Sequence, residues 1–573
     1  MLSTFDPCRL LSYEFFPVEL PPCFQSVSLA NKYQQFIATA SSITTPSIPL
    51  TYSGYKSETS RRKFAIPNPC QYSRAVSIIA ANEVELQKVF SSSAYSLTAP
   101  IDRKPLAEQP YAKRSNSIAD TKREIECLYQ NHRFEIRLDI NSFFDSIYTH
   151  SIAWALHGIE AAKKQRNDKK LIGNQLDNCI QALNYGQTNG LLIGNAVSRI
   201  ISEIILCTVD KELHKAFPHI SCCRFVDDYY IYTSDSAEIQ KIISTVRVCL
   251  SKYQLNFNEN KLQINESPFL YGKPYFDYIK QYLHLPPDAF LTHLILNYRD
   301  YKDIAIIKYG LRILSQHHYT LKEWSTMQSR LLNLWVRFPS MADRILEILH
   351  SNRAHLKIDP LKKAIYSIID ESLMLNREQE LIWAVWYLKV FDIAPSIKYI
   401  IKVLRCSTDL AIIIMLDIIH KHQRSEHPDI QKTYKTICKK ISDSVNDDTP
   451  DASPLWTSHW LLVYEAERNN WLQLSEGSST YIQRAPFFRK IHSLHVCFYD
   501  SNFAYNVSEG YSGGLKFVTQ RELSRIITKL QKMLSDRIKS VNSSVENGNK
   551  LTDRESKLFE EYVHMFEETE RIY

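Results

Sequence analysis

Arg224-Phe225-Val226-Asp227-Asp228-Tyr229-Tyr230-Ile231-Tyr232 constrains the fold more than any other stretch of the chain. Two adjacent carboxylates stand between two apolar, aromatic-rich runs. A strand, a tight turn and a second strand satisfy that pattern. Such a turn pushes both aspartates out of the hairpin tip, where they are able to bind divalent metal. Taken alone, the pair also fits an ordinary turn, in which aspartate is common.

A second acid lies upstream. Phe134-Glu135-Ile136-Arg137-Leu138-Asp139 alternates apolar and polar residues, which predicts a half-buried strand ending in Asp139. Read in isolation, Asp139 also suits the N-cap of a helix beginning near Ser142. Between the two acidic elements lies Gln187 to Arg199, with Gly190 and Gly194 ahead of a helical run from Ile200 to Leu213. Glycines before a helix let backbone approach a nucleotide or template base closely. An acid at a strand end beside a hairpin carrying two more is what two-metal phosphoryl transfer requires. Two cations about 4 Å apart clamp the attacking and leaving oxygens, and Mg²⁺ favours a few carboxylates with phosphate and water.

The order of these elements resembles motifs A, B and C of the reverse-transcriptase palm. LDINSFFDSI (138–147) looks like motif A, GLLIGNAVSR (190–199) like motif B and FVDD (225–228) like motif C. Leu255 to Lys261 resembles motif D, which ends in a lysine. Arg61 to Pro69 resembles the fingers motif, with its basic residue before Ile66-Pro67. Ser146 to Gly158 is similar to the bacterial phage-defence branch, the abortive-infection and defence-associated reverse transcriptases. The resemblance spans residues 50–275. Leu192 and Ile193 depart from it, standing where many relatives carry proline and glutamine. Phe225-Val226 replaces the common Tyr-Ala.

The resemblance implies an α+β amino-terminal half, the palm and fingers, followed by an all-α, helical-repeat-like domain in place of a thumb. The expected divisions are an amino-terminal segment with the start of the fingers (1–69), fingers and palm (70–285), and a HEAT-like helical domain (286–573). It implies Asp139, Asp227 and Asp228 as the catalytic acids. With Ile140 they would hold two Mg²⁺ ions, or Mn²⁺ in their place. Arg62 would grip the incoming triphosphate with Lys56 assisting. Phe144 would be the steric gate against a ribose 2′-hydroxyl. Gly194 and Asn195 would lie against substrate, and Lys261 would neutralise or protonate leaving pyrophosphate. Defence relatives begin synthesis on a protein hydroxyl, so Tyr33, Tyr52 and Tyr55 are candidate primers. They lie on a Ser/Thr/Pro-rich stretch in which 41–60 reads as loop.

Composition fits this reading. Net charge is +7, compatible with a polyanion partner. Twelve cysteines form no Cys-x-x-Cys pair, so neither a zinc framework nor a disulfide ladder is expected, and a reducing bacterial cytoplasm fits. Met1 to Leu20 lacks an apolar signal core, and no run is long enough to span a membrane. After Phe290, apolar residues recur at helical spacing, as in Leu331/Leu334/Trp335/Phe338 and Leu381/Ala384/Val385/Leu388. Breaks are expected at Pro339, Pro360, Pro395 and Ser407. Segment 442–454 reads as a linker, 501–514 as a loop and 521–573 as amphipathic helix.

The leading expectation is a protein-primed polymerase making single-stranded DNA in antiphage defence. Its partners would be deoxynucleoside triphosphates, a DNA product attached covalently to protein, and further copies of the chain. Copying a noncoding RNA into cDNA is the alternative within the class. Outside it stand a nucleic-acid scaffold with an inactive palm and a HEPN-type ribonuclease built on Arg489 and His495.

Overall fold

The computed structural model describes residues 4–115, 118–269, 275–446, 449, 452–474 and 479–505. The expected helix over 521–573 and most of the expected loop over 501–514 lie outside the described residues. Two compact units emerge. The first combines 1–272, 371–389 and 394–503; the second holds 273–370, 390–393 and 504 onward.

A hairpin of β1 (Leu50–Tyr55) and β2 (Arg61–Ile66) opens the sheet structure of the first unit. This overturns the loop expected over 41–60 at residues 50–55, whereas 43–49 and 56–60 carry no helix or strand. Ser, Thr and Gly suggest a loop, but Leu50, Tyr52 and Gly54 form the buried face of a strand. Gly54 is required there by space, since a Cβ would meet the Phe64 ring at 2.4 Å. Four further strands, β3 (Phe134–Asp139), β4 (Ser221–Phe225), β5 (Asp228–Thr233) and β6 (Gln263–Glu266), pair antiparallel in the order β4-β5-β3-β6.

Helices pack around these strands. The first used below, α1 (Tyr33–Ser42), buries Tyr33, Phe36 and Ala40. Next, α2 (Pro69–Ala81) begins at Pro69, and the Asn68 side chain accepts from the Cys70 N–H at 3.1 Å. It packs on α3 (Ile172–Leu183). The long α4 (Ala196–Ala216) starts four residues before the expected run because Asn195 caps it. It packs against α5 (Ile239–Ser251).

In α6 (Glu378–Val390), every residue from Gln379 to Leu388 is buried rather than a single stripe. Its first turn covers the open edge of β1. Ser53 N–H donates to Glu378 at 2.6 Å, Tyr55 N–H donates to Gln379 at 2.8 Å, and Arg61 pairs with Glu380 at 2.6 Å. Unpaired edge donors are thus satisfied by side chains.

The second unit is helical through Pro287–Tyr301, Ala305–Leu314, Leu321–Arg337, Ala342–Ser351 and the start of Ile358–Met374. A Thr320/Glu323 capping box begins the third of these. Among the described residues the carboxy-terminal part has helices and no strand, as expected, but packing does not divide the chain at 285/286. The apolar helices from Glu371 to Lys389 and from Ala394 onward join the strand-bearing unit. Pro339, Pro395 and Ser407 do separate helices. Pro360 instead lies in the first turn of Ile358–Met374, where a missing N–H costs nothing. Among the described residues no helix is long and apolar enough to cross a membrane.

Candidate active site

A two-residue connection, Val226-Asp227, joins β4 to β5, with Phe225 paired to Asp228. β5 in turn pairs with β3 so that Asp139 stands opposite Asp228. Ile140 N–H donates to the Asp227 carbonyl at 3.2 Å and ties the turn to the end of β3. Backbone pairing therefore gathers three carboxylates from two distant segments. Asp139 caps no helix: the short helix Phe143–Ser146 is preceded by Ser142 in left-handed conformation.

These acids lie in a cleft of about 650 Å³. Lys56, Arg62, Phe144 and Lys261 line it with them, as do Ile140 and the unanticipated Lys63, Lys113 and Arg199. Lys63 was legible in the basic run 61–63. Lys113 had no local signal. The neighbouring Arg61 is spent on Glu380 and Ser53, whereas Arg62 is exposed. Phe143 points into the core and Phe144 remains half-buried at the cleft. Lys261 arrives on a 3₁₀ turn, Glu259–Lys261, capped by Asn258. Asn258 N–H also donates to the Asp139 carbonyl at 2.7 Å. The Lys261 ammonium thereby meets Asp139 Oδ2 at 2.7 Å.

The electrostatics are those of crowded anions. Burial and the Asp139 charge push Asp227 up from the usual carboxylate range, although Lys261 and Arg62 oppose the shift. Asp228 is pushed up to about 6, first by loss of water within the cleft, then by Asp227 and Asp139. Lys261 is raised by its hydrogen bond to Asp139. Among the described residues no three His, Cys, Asp or Glu side chains already converge on one ion. The donor chemistry nevertheless fits a divalent cation: hard carboxylate oxygens whose mutual repulsion a cation relieves, one of them already on an ammonium.

Several expected site residues have other roles. Asn195 is buried, accepts from Ser198 N–H at 2.9 Å and donates to the Leu192 carbonyl at 2.8 Å. Its side chain is committed to capping α4, and it does not line the cleft. Gly194 has φ +108°, and a Cβ there would meet Pro17 at 2.6 Å. Packing and backbone conformation are enough to require it. The mobile tyrosine segment is likewise corrected. Tyr33 is buried in α1, and Tyr52 is buried on β1, stacked on Phe64 with burial raising its hydroxyl well above the ordinary value. Tyr55 ends the same strand, half-buried. Arg489 and His495 are exposed and line no part of the cleft; the arginine donates to the Gln483 carbonyl at 3.4 Å.

Residues 66–273 match the family model described as reverse transcriptase (RNA-dependent DNA polymerase). No curated protein matches the chain. Among solved structures, a carboxy-terminally truncated apo telomerase from Candida tropicalis is 12% identical. The match covers 43% of this chain and 57% of that one, with TM-score 0.28. Apo telomerase from the same organism is 12% identical, covering 81% and 77%, with TM-score 0.28. Telomerase from Candida albicans with a fragment of telomeric RNA is 12% identical, covering 62% and 69%, with TM-score 0.27. These TM-scores lie well below 0.5, so the likeness places nothing on this chain. Residues 66–273 are similar to the reverse-transcriptase (RNA-dependent DNA polymerase) domain, and the chain spans 57% of the truncated telomerase it matches.

Proposed function

We propose that the protein extends DNA with deoxynucleoside triphosphates by two-metal phosphoryl transfer, in antiphage defence. The observation that carries the catalytic reading is the β3–β5 register, which sets Asp139 against Asp228 with Asp227 in the adjoining turn, inside a cleft edged by cations. Asp139, Asp227 and Asp228, with Ile140 beside them, would hold the ions. Two Mg²⁺, or Mn²⁺ in their place, supply charge neutralisation and acidify the attacking hydroxyl when bound. Arg62 and Lys56 bind the triphosphate from the β1–β2 hairpin. Phe144 fills the space a ribose 2′-hydroxyl would need. Lys261 exchanges Asp139 for the departing pyrophosphate, to which it offers a positive charge or a proton.

The defence role rests on the resemblance of 146–158 to the phage-defence branch. So do protein priming, a covalently attached single-stranded product, assembly of several copies and the helical carboxy-terminal part in place of a thumb. Of the three candidate primers, Tyr55 is the least buried and stands next to Lys56 at the cleft. Incorporation of labelled deoxynucleotides, followed by phenol extraction with and without protease, tests both layers. Product released into water only by protease supports self-priming. Free product favours copying of a noncoding RNA from a nucleic-acid primer.

A further inference from the structure

Val226, immediately before the two acids, has φ +55°. A β-branched residue resists that conformation, and glycine or asparagine is usual there. Something must hold the turn. Val226 N–H donates to Thr98 Oγ1 at 3.2 Å, and Arg224 Nη1 donates to the Val226 carbonyl at 2.7 Å. Both polar groups of the strained residue are therefore gripped by side chains.

The two grips share an anchor. Thr98 donates to Glu203 Oε1 at 2.7 Å, and Arg224 reaches the two Glu203 oxygens at 3.2 and 2.9 Å. Glu203 projects from α4, two turns before Asp210, which also takes Arg224 at 2.8 Å. Arg224, Asp210 and Glu203 are buried, as is Thr98. Ser96 donates to Glu203 at 2.9 Å and Ser93 to Asp210 at 2.6 Å, so the 93–98 segment is stitched to the same helix. Burial pushes Glu203 up, but the Arg224 charge and the donated hydrogen bonds outweigh it and hold the carboxyl below its usual range. The anchor stays ionised.

We propose that Thr98, Arg224 and Glu203 form a clamp that holds Val226 in its left-handed conformation and thereby aims the Asp227-Asp228 pair into the cleft. These are positioning residues: they act through Val226, and none is needed as a metal ligand. A buried ion cluster of this kind need not add stability, and strain of this kind gathers where geometry serves function. The proposal rests on the polymerase reading for its consequence but not for its geometry.

Hydrogen exchange on the metal-free, full-length protein tests the clamp without any turnover. Thr98→Val keeps shape and removes the acceptor. The Val226 amide should then exchange about tenfold faster, the equivalent of one lost hydrogen bond, while amides within α4 stay protected. Thr98→Ser keeps the hydroxyl and should preserve the protection. In deoxynucleotide incorporation, T98V should need about tenfold more Mg²⁺ for half-maximal rate, since misaimed carboxylates bind the ions less well. Val226→Gly gives an independent arm: without a Cβ the turn needs fewer tethers, so T98V should cost about tenfold less in the V226G background. Unchanged amide exchange in T98V, or equal losses in the two backgrounds, overturns the clamp. Normal protection in a wild-type protein that incorporates nothing would instead count against the polymerase reading.

Discussion

Asp228 faces Asp139 across a strand pair, and like charges directly opposed work against folding. Its carboxyl, held at about 6, titrates above the ordinary aspartate value. A carboxyl raised in the folded state costs nothing where both states are protonated, below about pH 4. The cost grows between that pH and the folded value near 6, and is full above it. Asp228→Asn should therefore stabilise the metal-free protein at pH 7 by about 1 kcal/mol, after allowance for solvent screening. The gain should vanish below about pH 4, and Mg²⁺ should raise the melting temperature of the wild type more than that of the variant. Melting curves across pH, with and without Mg²⁺, check this. A variant less stable than wild type at pH 7 would show that the acids do not repel one another. Phe144 makes a second prediction at this scale. Its backbone is fixed by Leu191 N–H at 2.8 Å while its ring borders the cleft. Phe144→Ala should admit ribonucleotides, read as the ratio of ribo- to deoxynucleotide incorporation. An unchanged ratio would remove the gate.

At the scale of elements, the strands that carry the acids were legible because their signals are local. Alternation around Asp139 and the double acid between aromatic runs predict β3, β4 and β5 without knowledge of partners. Even there one residue misleads. Glu135 reads as the solvent side of β3 but is buried, held by Arg137 at 2.7 Å and the Tyr232 hydroxyl at 2.8 Å. The β1–β2 hairpin was not legible. Its buried face is made by Tyr52 against Phe64, and its edge is satisfied by Glu378 and Gln379, more than 300 positions away. Asn195 is ambiguous in sequence, since cap and substrate contact place the same residue type before a helix, and the structure shows the cap. Asn195→Ala should cost about 1 kcal/mol by exposing the first turn of α4. Urea titration followed by tryptophan fluorescence checks it. Arg61→Met should cost more, about 3 kcal/mol, because it strands a buried Glu380. Reversing that order would mean the α6–hairpin contact is incidental.

For the molecule as a whole, the regular apolar spacing after Phe290 made the helices legible, but not their allegiance. Hydrophobic periodicity says that a helix has a buried face and is silent on what covers it. Thus α6 and the helices beyond Ala394 belong with the strands, while 273–370 form their own unit. Catalysis by the acids of the first unit is read by incorporation of labelled deoxynucleotides by purified full-length protein and by Asp227→Asn, in Mg²⁺ and after its removal with chelator. The substitution keeps the size of the side chain and removes a metal-binding charge. If the acids are catalytic, the wild type incorporates only with Mg²⁺ and not with chelator, and the variant still folds but loses at least about 10²-fold. Incorporation by Asp227→Asn at the wild-type rate would contradict that role.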